Sequence, residues 1–182
     1  WQINLRIFDQ NGIPLIKKGD YLLYNPTSLI QYGLSEYGYY LSSKSKLHFE
    51  HSKSVCDWLL DNQDDATGLW YYNFDFFHSP SNTILKKPWA SAMSQGEAVS
   101  LLTRIYRITH NSKLIVAAEK AFHALSIPVA DGGLYAEFCG NAFYEEFPTS
   151  QPNLTLNGFM FCLFGLYDLY DLACSPEIKR LL

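Results

Sequence analysis

Three glycines, Gly33, Gly96 and Gly158, each stand at the head of an apolar helical stretch, and they lie 63 and 62 residues apart. The stretches read QYGLSEYGYYL, SQGEAVSLLTRIY and LNGFMFCLFGLY. In each, apolar residues recur at helical spacing: Ile30, Leu34, Tyr37 and Leu41; Ala98, Leu101, Ile105 and Ile108; Phe159, Cys162, Leu166, Leu169 and Ala173. That spacing puts them on one face of a helix, three times over. A second helix is predicted behind the first two, through Val55, Trp58 and Leu59 and through Ile115, Ala118, Phe122 and Leu125. A related turn follows each, Gly68-Leu69-Trp70-Tyr71 and Gly133-Leu134-Tyr135-Ala136, and the two turns are 65 residues apart. Self-similarity at a fixed period signals stacked units that bury their faces against one another, so the chain reads as an all-α array of αα-hairpins. Chance similarity among apolar helices is the competing explanation.

Each hairpin is followed by an excursion, roughly Leu69 to Phe77 and Leu134 to Phe147, rich enough in aromatics to form short strands. These excursions are predicted to line one end of the array. Leu5 to Ile16, with Asn11-Gly12 at its centre, reads as a β-hairpin, so residues 1–25 are assigned to a cap and 26–182 to the repeat domain. Near the other end, Ser175 suits an N-cap, Pro176 the first helical turn and Glu177 a helix start. A third hairpin therefore begins its second helix just before Leu182. Leu181 and Leu182 do not supply the polar cap that repeat arrays normally carry, which is the mark of a chain cut from a longer helical toroid; a short terminal helix is the alternative.

The 182 residues fit one domain, and a 48% hydrophobic content fills a core of that size. The net charge of −4 is spread without basic clusters, which argues against nucleic acid as a partner. No apolar run is long enough for a transmembrane segment. The chain opens on Trp1, and its localisation cannot be read. With 13 Tyr, 12 Phe and 4 Trp, its aromatic surface suits sugar rings. The cysteines follow no metal spacing; Cys56, Cys162 and Cys174 fall within helical patterns and read as small buried hydrophobes, and no disulfide is assigned. His48, His51, His78, His110 and His123 form no metal motif and read as solvated helix residues, so no metal site is expected. Hydrolase-triad and nucleotide fingerprints are missing as well.

Acid–base chemistry has one strong candidate segment, NAFYEEFPTSQPNLTLNG, residues 141–158. In an extended backbone Glu145 and Glu146 face opposite sides, so one can enter an aromatic pocket while the other stays solvated. Burial raises a carboxyl's pKa and suits it to proton transfer. The alternative is a pair of loop charges ahead of a helix N-terminus. In PWASAMSQG, residues 88–96, Trp89 could stack on a sugar and Gln95 could bind hydroxyls; alternatively they are a core aromatic and a helix-start residue. Gln31-Tyr32 occupies the equivalent place in the first repeat and Asn157 in the third.

The same segments carry a resemblance to the D-glucuronyl C5-epimerases. Gln31-Tyr32-Gly33-Leu34 resembles that family's QYGL element, and Ser91 to Gly96 is similar to its SAM-x-QG element. Tyr144-Glu145-Glu146-Phe147-Pro148-Thr149, Leu156 to Met160 and Gly165 to Leu169 resemble YEEYPT, LNGFM and GLYDL. The order holds from about Pro26 to Leu172. The resemblance implies a partial (α/α)-toroid with short β-hairpins at one end, and inversion at C5 of glucuronic acid in a polysaccharide by removal and return of a proton, with no cofactor. It implies Glu146 as the catalytic base; Tyr144 is read with it as catalytic, and Tyr32, Gln31, Trp89, Gln95, Glu145 and Asn157 as substrate-binding residues, from their places in these segments. The partner it implies is a uronic-acid-containing polysaccharide; homo-oligomerisation is left open. Three departures stand against activity of this chain alone. Phe147 replaces the second tyrosine of YEEYP, the family's later tyrosine and arginine motifs are not met before Leu182, and the β-rich region animal members carry after QYGL is absent. A noncatalytic glycan-binding or structural module, and a uronate lyase that begins with the same proton abstraction, are the alternatives.

Overall fold

The computed structural model describes residues 7–181, with side chains described as far as Lys179. Trp1, Leu5 and Leu182, on which sequence expectations rest, lie outside the described residues, as does the side chain of Leu181. Three helical hairpins follow one another: α1 (Pro26–Ser43) with α2 (Lys46–Asn62), α3 (Ala92–Thr109) with α4 (Ser112–Ala124), and α5 (Leu156–Ala173) with α6 (Pro176–Leu181). This is the expected αα-hairpin array.

The periodicity of the sequence is repeated in how the helices end. α1, α3 and α5 are each 18 residues long and each stops at a non-glycine residue in the left-handed region: Lys44 (φ 58°), His110 (φ 53°) and Cys174 (φ 50°). The N–H of each cap returns to a tyrosine carbonyl, of Tyr40, Tyr106 and Tyr170, at 2.8, 2.8 and 2.7 Å. Those bonds satisfy carbonyls that would otherwise be orphaned at the helix end. At the opposite ends, the Asn25 side chain caps α1 by accepting from the Ser28 amide at 3.1 Å, with Pro26 in the first turn. Ser175 Oγ accepts from the Glu177 amide at 3.2 Å where α6 begins, as its sequence predicts.

α3 is the central helix, packed against α1 on one side and α5 on the other. Every residue from Ser94 to Thr103 is consequently buried. The α3–α5 crossing depends on two glycines. A Cβ on Gly165 would strike the Gly96 carbonyl, and one on Gly96 would strike the Cys162 backbone, so the two helices meet main chain to main chain. Gly33 plays a milder version of the same part, because a Cβ there would come within 2.7 Å of the Leu101 side chain and 3.0 Å of Val55.

Close approach at Gly33 also turns α1 relative to its expected face. The buried stripe runs through Leu29, Ile30, Gly33 and Glu36, whereas Leu41 is 46% exposed. Ile108 and Ala173 lie in the last turns of their helices, beyond the crossings, and are exposed. Cys56 and Cys162 are buried as expected, but Cys174 is exposed because it serves as the α5 cap and not as a helix residue; all four cysteines are free thiols.

Three antiparallel pairs decorate the array: β1 (Ile16–Lys18) with β2 (Tyr21–Leu23), β3 (Phe76–His78) with β4 (Thr83–Leu85), and β5 (Tyr135–Phe138) with β6 (Asn141–Tyr144). The β5–β6 pair lies within the second excursion, whereas β3 starts at the end of the first and β4 lies beyond it. Around Asn11-Gly12 the expected hairpin shrinks to a turn, closed by Gly12 N–H to Asp9 O at 3.1 Å, and a single bridge between Phe8 and Pro14. Proline has no N–H to continue a ladder there, and the paired strands form after it. Ile13 is 2% exposed within the main core, which packs this segment onto the helices. Among the described residues no helix is long and apolar enough to cross a membrane.

Candidate active site

The excursion after α4 runs back through β6 and delivers Glu145 and Glu146 to the N-terminal end of α5. Their side chains diverge as extended backbone requires: Glu145 is buried and Glu146 is partly exposed. Glu145 is 1% exposed, and its carboxylate accepts from the amides of Asn153 (3.0 Å) and Leu154 (3.2 Å). Its main chain is equally engaged: the amide donates to Leu134 O and the carbonyl accepts from Ala92 N, at 2.9 and 3.0 Å. Glu145 thus fastens the loop ahead of α5 to the start of α3. Of the two it is Glu145 that leaves solvent altogether, while Glu146 stays partly exposed.

Glu146 turns the other way and lies on Gly158, where a Cβ would collide with it. Its Oε2 is buried with no hydrogen-bond partner. Burial raises its pKa, and the Gly158 amide at the head of α5 opposes that rise. Its charge is felt by Glu97, one residue after Gly96 on α3. Glu97 is 4% exposed, its Oε1 accepts from Gln31 Nε2 at 3.1 Å, and its Oε2 is a second buried oxygen with no partner. Burial pushes the Glu97 carboxyl up to about 7, the Gln31 hydrogen bond opposes this, and the charge of Glu146 adds to it. Burial and the neighbouring charge thus favour the protonated form of Glu97.

Tyr72 closes the back of the pair. It is 3% exposed, and its hydroxyl lies 2.6 Å from Thr27 Oγ1 and is hydrogen-bonded to Ser94. Burial raises this phenol too, with Glu97 contributing. Glu97 and Tyr72 were not singled out by the sequence. The only hint of Glu97 was its place directly after a glycine that must be buried; its partner Gln31 is 66 residues away.

The other sequence candidates surround this centre. Trp89 is 8% exposed, stacked on Tyr72 with ring centroids 4.0 Å apart, and its Nε1 donates to Phe74 O at 2.9 Å. Gln95 is fully buried, and its amide bridges Gly68 O (2.9 Å), Ala121 O (3.3 Å) and the Trp70 amide (3.4 Å). Its polar atoms are spent on main chain between the two hairpins. Tyr144 is 1% exposed beside Phe159, and burial drives its phenol upward. Asn157 is exposed beside Gly158 at the rim. Tyr32 leans away from the carboxyl pair toward Phe8 and His51, and burial pushes its phenol up to about 12, with Glu36 adding.

Phe147 stacks against Phe76 and His78, at centroid distances of 5.6 and 4.4 Å. His78 is therefore not a solvated helix residue: it lies in β3, is 6% exposed, and its Nδ1 meets Ser81 Oγ at 2.7 Å. Burial lowers its pKa and favours the neutral ring. His48 and His51 also depart from the expectation, since both direct Nδ1 at one oxygen of Glu36. Two clefts open on the surface. One, of about 280 Å³, is lined by Tyr24, Trp58, Asn62, Asp64, Tyr71 and Phe74 among others. The other, of about 340 Å³, lies between the excursions and includes Trp89, Lys86, Pro148 and Ser150. Neither is lined by Glu97 or Glu146, which sit deeper.

The family model described as the D-glucuronyl C5-epimerase C-terminus matches residues 63–182. A D-glucuronyl C5-epimerase of Caenorhabditis elegans is 36% identical over 132 residues, which is 72% of this chain and 21% of that protein. An uncharacterized protein of Methanocaldococcus jannaschii is 32% identical over 60% of this chain and 35% of its own length. This chain thus spans about a fifth and a third of those relatives. In shape it is similar to the GH76 alpha-mannanase of Bacteroides thetaiotaomicron, with a TM-score of 0.60 over 93% of this chain and 43% of the mannanase, at 13% identity. That likeness concerns the helical toroid alone.

Proposed function

Because this chain belongs to the D-glucuronyl C5-epimerase family, we propose that it forms the part of such an enzyme that inverts C5 of glucuronic acid residues in a polysaccharide. The observation that supports the reading most is the pair Glu146 and Glu97, each with a buried carboxyl oxygen that has no hydrogen-bond partner, the charge of the first raising the pKa of the second. Removal of a proton next to a uronate carboxylate needs a base whose pKa lies near the working pH, and burial supplies the shift. In this reading Glu146 takes the C5 proton from one face of the ring, with Glu97 within reach of its charge. The Gly158 amide at the head of α5 stabilises the charged state. Gln31 and Asn157 meet the sugar at the rim with Tyr32 beside them. Trp89, Gln95, Tyr144 and Glu145 are the walls that hold the pair in place. Inversion also needs a group on the opposite face of the ring.

Phe147 supports a second reading, a glycan-binding module without catalysis, since its ring has no proton to give. Incubation with a glucuronate polymer in deuterated water separates the two. Catalysis puts deuterium at C5, and Glu146→Gln abolishes that exchange while leaving polymer binding in place. Binding without exchange in the unaltered chain would reject catalysis by it. A new ultraviolet-absorbing double bond would mark a lyase instead.

A further inference from the structure

α1 and α2 are joined by a polar cluster that the carboxyl pair does not use. Glu36, in the buried stripe of α1 and 8% exposed, turns Oε2 toward two rings on α2. His48 Nδ1 and His51 Nδ1 each lie 2.8 Å from it. The two histidines are one helical turn apart and so project from the same face. The three ligand atoms lie within 4.8 Å of one another. A ring contact with Tyr39 holds His48 (5.3 Å) and one with Tyr32 holds His51 (6.2 Å), which fixes how the imidazoles face the carboxylate.

We propose that Glu36, His48 and His51 form a binding site for one divalent transition cation of the zinc type. Two imidazole nitrogens and one carboxylate oxygen are a donor set that such ions favour. Ions of this kind sit about 2.0–2.2 Å from each donor, so the separations of 2.8 Å widen by roughly half an ångström on binding, within the reach of side-chain rotation. The histidine side chains are 33% and 37% exposed, which opens a path for the ion and leaves room for a water as fourth ligand. Glu36 has no described ion-pair partners other than these two histidines, so the incoming cation displaces no lysine or arginine described there. The bound ion would clamp the first hairpin together at the height of Tyr32.

Zinc chloride titrated calorimetrically into the chelator-treated chain at neutral pH tests this directly. One equivalent is expected to bind, and cobalt in its place is expected to give the visible absorption of a four-coordinate site. His48→Ala, His51→Ala and Glu36→Gln should each weaken zinc binding by about tenfold or more. Because a variant can lose its fold, histidine ring resonances of the unaltered chain provide a second readout: the first equivalent of zinc should move two of the five rings together. The proposal is overturned by the absence of saturable binding near one equivalent. It is equally overturned by zinc that binds a folded His48→Ala/His51→Ala variant as tightly as the original, or that first moves His78, His110 or His123.

Discussion

A single methyl group at Gly165 tests whether the α3–α5 contact is as close as described. In Gly165→Ala the new Cβ meets the Gly96 carbonyl oxygen head-on, with the Gly96 carbonyl carbon at 2.6 Å and its Cα at 2.8 Å. Ordinary contact begins near 3.4 Å, and main chain cannot swing aside, so the helices must separate. Forcing a methyl into a packed interior costs about 1–3 kcal/mol, with backbone against backbone at the upper end. Alanine's better helix propensity returns about 1 kcal/mol. A net loss of about 2 kcal/mol follows, or roughly 4–8 °C in melting temperature for a chain of this size. Gly38→Ala is the matched control, since that glycine is also inside an 18-residue helix but has nothing within 4 Å of its Cβ. It should gain up to about 1 kcal/mol. Urea unfolding of both variants, followed by circular dichroism, gives the difference. If Gly165→Ala unfolds at the same midpoint as Gly38→Ala, the two backbones do not touch and the reasoning fails.

The Glu97 pKa, about 7 against an ordinary 4.5, predicts a pH signature. The folded carboxyl holds its proton more tightly than the unfolded one. The associated stability, at most about 3 kcal/mol, is therefore complete below about pH 4.5 and is lost as the pH rises to about 7. Urea midpoints across that window should fall more steeply in the unaltered chain than in Glu97→Gln; equal slopes would remove the burial argument. Lys44→Gly relieves a left-handed residue at φ 58° and should raise the unfolding free energy by about 0.5–1 kcal/mol, net of glycine's extra freedom when unfolded, and with it the urea midpoint. A fall in that midpoint would mean that the Lys44 side chain, over the Tyr40 ring, matters more than its backbone.

The hairpin array was legible because helical burial leaves a local signature. Two of the glycines that opened the repeats, Gly33 and Gly96, are residues where helices touch, Gly158 lies against Glu146, and the Ser175-Pro176-Glu177 start of α6 is written in adjacent positions. Glu146 was legible as a candidate because its neighbours form uncommon words. Glu97 and Tyr72 were not, since what sets them apart is long-range: Gln31 for one, Thr27 and Ser94 for the other. The same holds for His48 and His51, unremarkable three residues apart on a helix until α1 brings Glu36 against them. For Gln95 and Trp89 the sequence left a sugar contact and a buried structural place both open. Their polar atoms look available in a sequence, and only the fold shows main-chain carbonyls waiting for them.

The three-unit frame has a consequence for how such a centre could arise. Glu97 follows the buried glycine of the middle unit, and the same slot holds Leu34 in the first and Phe159 in the third. Copying a hairpin therefore yields equivalent places, yet an acid occupies just the one flanked on both sides, where Gln31 and Glu146 can reach it. The slot after the glycine is thus alike in backbone in all three units and unlike in surroundings, and the acid stands where α1 and α5 both pack against its helix.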